Sequence, residues 1–175
     1  MNASDFPTIS NKADFLANAE IMVQESLEQY GQLADSMELH NNTETAVQFR
    51  VLESMEKQQL EWIEQQSSGI DLPEIAPWDF AWHCEDDPTK SNLSDMDYLV
   101  SPARALSAAL YNEYHSEEFY REVAEQSSDP AVKDLASELA ERQLKQIELL
   151  KQRLRALPKE GHEAIEDMDP PNIPE

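Results

Sequence analysis

ELAERQLKQIELL, residues 138–150, is the stretch whose reading decides the fold. Leu139, Gln143, Gln146 and Leu150 recur at steps of four, three and four, the period of one helix face. Two of those four inward positions are glutamine, and a buried amide needs hydrogen-bond partners. A plain bundle would carry leucine at both. The stretch also has a counterpart earlier in the chain. LESMEKQQLEWIEQ (52–65) aligns with LAERQLKQIELLKQ (139–152), with Leu52 falling on Leu139. LEQYGQLA (27–34) aligns with EEFYREVA (117–124), with Tyr30 falling on Tyr120. The two registers differ because the connection SMELHNNTET is longer than QSSDPAV. The chain therefore reads as two copies of a helical hairpin.

Working outward, four helices are predicted. The first spans about 11–39 and turns Phe15, Ala19, Met22, Val23, Ser26, Tyr30 and Leu33 inward; the second spans about 43–66 with Phe49, Leu52, Glu56, Gln59 and Ile63 inward. Ser101-Pro102 and Asp129-Pro130 start the third and fourth, each a capping side chain followed by proline at the first helical position. The third turns Leu106, Ala109, Leu110, Glu113, Tyr120 and Val123 inward; the fourth, Val132, Leu135, Ala136, Leu139, Gln143, Gln146 and Leu150. A long connection, about 67–100, holds IDLPEIAPWDFAWHCEDDP; it is predicted to cross the bundle with Trp78, Phe80 and Trp82 packed on the helices. The expected fold is thus an all-α antiparallel four-helix bundle over residues 1–157. Residues 158–175, acidic and rich in proline, are predicted to form a disordered tail.

Composition narrows the function classes. A formal net charge of −23 argues against nucleic acid and anionic membrane as partners, since both are polyanions. The single cysteine, Cys84, forbids an internal disulfide and fits a reducing, cytoplasmic setting. MNASDFPTIS shows no basic region followed by an apolar run, so no secretion signal is expected. Three glycines leave no phosphate-cradling loop.

The hairpin repeat places Val23 opposite Glu113, Glu56 opposite Gln143 and Gln59 opposite Gln146, all about midway along their helices. A polar layer of two carboxyls and three amides is expected there, with Tyr30 and Tyr120 two turns away. The glutamine NH2 groups are expected to bond the carboxylates, and at least one carboxyl is expected to keep its proton.

These residues carry a resemblance. ALSAALYNEYHSEEFY, with Glu113 seven before Tyr120, and FRVLESMEKQQLEWI, with Glu56 three before Gln59, resemble the ferritin-like superfamily and most closely its rubrerythrin-type domains. APWDFAW also resembles a connection of some rubrerythrin relatives. The resemblance implies a centre of two iron or manganese ions, held by a Glu on helices one and three and Glu-x-x-His on helices two and four. Of those six positions this chain keeps Glu56 and Glu113; Val23, Gln59, Gln143 and Gln146 replace the rest. The expectation is a non-catalytic relative with a degenerate metal site, no cofactor, and a structural, binding or regulatory role. The alternative is an iron- or manganese-dependent oxidoreductase with displaced ligands drawn from Glu20, Glu53, Glu56, Glu113 and Glu117. A homodimer is expected, and a protein partner could bind the crossover or the tail. His83-Cys84 with Glu85 and Asp86 is a weak alternative metal site; His115 reads as a surface residue.

Overall fold

Four short polar side chains start four helices in the computed structural model, which describes residues 9–80, 93 and 96–159. Asn11 Oδ1 accepts from Asp14 N at 2.9 Å and opens α1, Lys12–Leu39. Asn42 opens α2, Thr43–Gln66. Ser101 accepts from Arg104 N at 3.2 Å and opens α3, Pro102–Gln126. Asp129 Oδ1 accepts from Ala131 N at 2.9 Å and opens α4, Pro130–Ala156. Pro102 and Pro130 stand where a helix has no use for an N–H and where their fixed φ already matches it. No strand occurs among the described residues, and a three-residue 3₁₀ turn spans Pro77–Asp79.

α1 packs along α2 and α3 along α4, so the two hairpins of the repeat are present as packed pairs. The α1–α2 turn is closed by Asn41 at φ 60°, a left-handed conformation that asparagine tolerates better than most residues. The same turn anchors the end of the crossover. Asn42 Nδ2 donates to Tyr98 O at 3.0 Å and to Val100 O at 2.8 Å, and Thr45 Oγ1 donates to Val100 O at 2.8 Å. His40 stacks on Tyr98 with ring centroids 4.5 Å apart. α3 therefore begins beside the start of α2, while α2 ends 24 residues later, about 36 Å away at 1.5 Å per residue. The two ends that the 67–100 connection joins are therefore about a helix length apart, which accounts for its length.

Inward faces follow the predicted stripes except at Ser26, Leu33, Leu135 and Gln146, which are only half-buried; beside Gln146 it is Ile147 that is buried. Trp78 is 79% exposed, because the turn at Pro77–Asp79 carries it off the helices; Ile70 and Leu72 cover the core instead. Trp82, His83, Cys84, Glu85, Asp86 and the tail from 160 onward lie outside the described residues.

Replacing Asn42 with alanine removes a helix cap and both side-chain bonds to the crossover. A loss of about 1–3 kcal/mol in urea unfolding is expected; a loss below about 0.5 kcal/mol would show that the anchor is not needed.

Candidate functional site

The core is two apolar clusters with a polar level between them. One gathers Phe15, Met22, Val23, Ile63, Tyr120 and Leu139 with their neighbours; the other gathers Tyr30, Phe49, Leu52, Leu106, Ile147 and Leu150 with theirs. Along α2, α3 and α4 the gap between clusters falls on buried polar residues: Glu56 and Gln59 in α2, Glu113 in α3, Gln143 in α4. These four are 1–4% exposed. Val23 fills the α1 side and is 3% exposed.

Glu113 is the hub. Tyr30 Oη donates to its Oε1 at 2.7 Å, and Gln143 Nε2 donates to its Oε2. Glu56 is hydrogen-bonded to the same carboxyl. Two carboxyls in hydrogen-bond contact inside a core cannot both be ionised cheaply. Burial pushes the Glu56 carboxyl well above its usual range, and the Glu113 charge and the shared hydrogen bond push it further. Burial raises Glu113 too, but bonds from Tyr30, Gln143 and Glu56 favour its charged form. Both Glu113 oxygens already accept from Tyr30 and Gln143, so Glu56 is the better place for the proton between the two carboxyls, with Glu56 donating to Glu113. Tyr30 and Tyr120 are held neutral by burial first and by the nearby carboxylate charge second. Tyr30 stacks on Phe49, and Tyr120 meets Phe15 edge-on, both at 6.3 Å between centroids, so each ring belongs to the apolar cluster on its own side. The Asn112 side chain also bonds the Tyr30 hydroxyl.

The other two glutamines turn elsewhere. Gln59 Oε1 accepts from Arg142 Nε at 3.0 Å, and the Arg142 guanidinium lies 4.9 Å from the centre of the Trp62 ring. Gln146 Nε2 donates to Met55 O at 3.3 Å. Only Gln143 of the three amides bonds a carboxylate oxygen directly. Arg142, Asn112 and Trp62 were not anticipated from the sequence. The available signal was an arginine directly before Gln143 and one turn from Gln146.

The donor set does not fit a two-metal centre. Both Glu113 oxygens already accept bonds from protein donors, Glu56 keeps a proton, and Val23 offers no lone pair. The guanidinium on Gln59 puts a positive charge where a second cation would need a ligand, and two carboxyls cannot offset the desolvation of two divalent ions. Other half-buried acids are engaged elsewhere: Glu53 with Arg50 at 2.8 Å, Glu117 with Arg121 at 3.7 Å, and Glu20 with Gln24 at 3.3 Å. His115 stands 3.8 Å from Glu118 and against the Tyr111 ring. Among the described residues no group of three or more His, Cys, Asp or Glu is placed to hold a metal, and no helix is long and apolar enough to cross a membrane.

This geometry defines an all-α protein of two packed hairpins with a carboxyl pair at its centre. No protein-family model and no curated protein matches the chain. Among solved structures, the crystal structure of an uncharacterised conserved protein from Magnetospirillum magnetotacticum is 34% identical with a TM-score of 0.67. The match covers 85% of this chain and 97% of that one. The chain belongs to the family of that conserved protein, and the likeness supports a helical ferritin-like fold.

Two variants test the carboxyl pair. Folding raises the Glu56 pKa, so the native chain keeps a proton that the unfolded chain loses above its usual 4.5. Stability from this group is then full below that pH and falls as pH rises toward the folded-state value. Glu56→Gln keeps a donor for Glu113 without the titration, so its stability relative to wild type should climb between pH 4.5 and 8; parallel curves would contradict the shared proton. Tyr30→Phe strips a donor from a buried carboxylate and should cost about 1–3 kcal/mol at neutral pH in the same denaturation assay.

Proposed function

We propose that this chain is a non-catalytic, rubrerythrin-related protein in which a proton shared between Glu56 and Glu113 takes the place of a metal pair. The observation that carries the reading is the Glu113 carboxylate, bonded by Tyr30, Gln143 and Glu56 at once. Three donors occupy all but about one of the four lone-pair sites of this carboxylate, and losing any of them to make room for a cation would leave buried polar atoms unsatisfied. Gln143 supplies a neutral N–H donor where the resembled pattern has a second carboxylate. Gln59 supplies an acceptor for Arg142 where that pattern has an imidazole.

With a shared proton in place of a metal pair at this level, the bundle serves as a rigid scaffold: a structural, binding or regulatory protein of the cytoplasm, working as a homodimer or with a protein partner. Exposed Leu144, Leu149, Tyr111 and Tyr114 on the second hairpin offer apolar area for such contacts.

The test is metal content. Wild-type protein incubated with ferrous or manganous ion and then desalted should retain well under one ion per chain by elemental analysis. The variant carrying Val23→Glu, Gln143→Glu, Gln59→His and Gln146→His together should retain more. Two tightly held ions per wild-type chain would overturn the reading.

A further inference from the structure

Two buried polar atoms in the seam between α2 and α4 have no hydrogen-bond partner among the protein atoms: Gln59 Nε2 and Gln146 Oε1. Their identities are fixed by what the other end of each amide does. Arg142 Nε can only donate, so the atom of Gln59 facing it is the oxygen. The Met55 carbonyl can only accept, so the atom of Gln146 facing it is the nitrogen. What remains is one NH2 group with protons to give and one carbonyl oxygen with lone pairs to fill. Flipping either amide would break its existing bond.

Register brings the two together. Gln59 pairs with Arg142 and Met55 pairs with Gln146, so α2 and α4 run antiparallel, and the two bonds sit one helical turn apart, about 6 Å along the axis. The free donor and the free acceptor belong to amides held at the two ends of that turn, on different helices. Gln59 is 1% exposed, so neither bulk solvent nor a rotamer change can satisfy its nitrogen cheaply. A buried amide group left unpaired is costly, and such groups are normally matched by protein or by internal water.

We propose that one internal water molecule bridges these amides, accepting from Gln59 Nε2 and donating to Gln146 Oε1. Water suits the site because one molecule supplies both complementary roles, an acceptor for the NH2 group and a donor for the carbonyl oxygen. The bridge links the two hairpins at the level of the carboxyl pair, between positions that correspond in the internal repeat. It concerns the two amides alone and stands whether or not the carboxyl pair holds the proton assigned to it.

The test is solution NMR on the full chain with 15N-labelled side-chain amides, using rotating-frame experiments that separate direct dipolar contact with water from proton exchange. A direct water cross-peak is expected at the Gln59 NH2 group, and Gln146→Met, which removes the acceptor, should weaken it several-fold while the remaining amide spectrum stays in place. Absence of a direct water contact in the wild type overturns the proposal, as does a contact that Gln146→Met leaves unchanged. Should that variant fail to fold, the wild-type cross-peak and the Gln146→Glu variant, which keeps an acceptor and should keep the contact, decide the matter.

Discussion

Two carboxyl groups buried against each other must hold one proton between them, and the interior of this bundle is arranged around that constraint. With Glu56 neutral and Glu113 charged, one negative charge is left in the core. That charge collects donors from the rest of the bundle: the phenol of Tyr30 on α1, the amide of Gln143 on α4 and the acid of Glu56 on α2. All four helices thus meet at one side chain of α3. Hydrophobic burial holds the helices together but does not choose their rotation or height. Hydrogen bonds to a single buried charge choose both, because a small slip along the axis would strand it.

The two halves of the repeat have drifted apart at this level. Val23 and Glu113 occupy corresponding places, yet one is aliphatic and the other is the hub. Glu56 and Gln143 also correspond; both bond Glu113, one through a proton and one through an amide. Gln59 and Gln146 share a residue type and have opposite surroundings: Gln59 is buried and capped by a guanidinium, while Gln146 is half-buried and leans on a backbone carbonyl. The layer therefore has one carboxylate charge, on Glu113, with no matching carboxylate on the α1 side. A symmetric pair of cations would have no symmetric ligand set to meet here.

Much of this was legible in the sequence, for local reasons. Asp129-Pro130 and Ser101-Pro102 carry helix starts in their own chemistry, and the threefold-and-fourfold spacing of Phe15, Ala19 and Met22 fixes a buried face without knowledge of neighbours. The internal repeat gave the pairing of hairpins and brought Glu113, Glu56 and Gln143 to one height. The partner of each amide was not legible. Which hydrogen bond a glutamine makes depends on side chains from another helix: Arg142, nominally a surface residue, reaches inward over Trp62 and captures Gln59 before a carboxylate can. The exposure of Trp78 escaped for a similar reason. Apolar character says that a residue gains from burial, but the direction of the turn at Pro77–Asp79 decides whether it is buried.

The most direct measurement of the central claim is infrared difference spectroscopy on carboxyl-isotope-labelled protein, wild type minus Glu56→Gln, at neutral pH. A protonated carboxylic acid and a carboxylate absorb in separate regions, so the proton is seen rather than inferred. The account predicts a protonated-acid C=O band in the wild type at pH 7 that disappears in the variant. Only carboxylate bands at neutral pH, with nothing lost on substitution, would mean that both groups are ionised and that something other than a shared proton holds this core together.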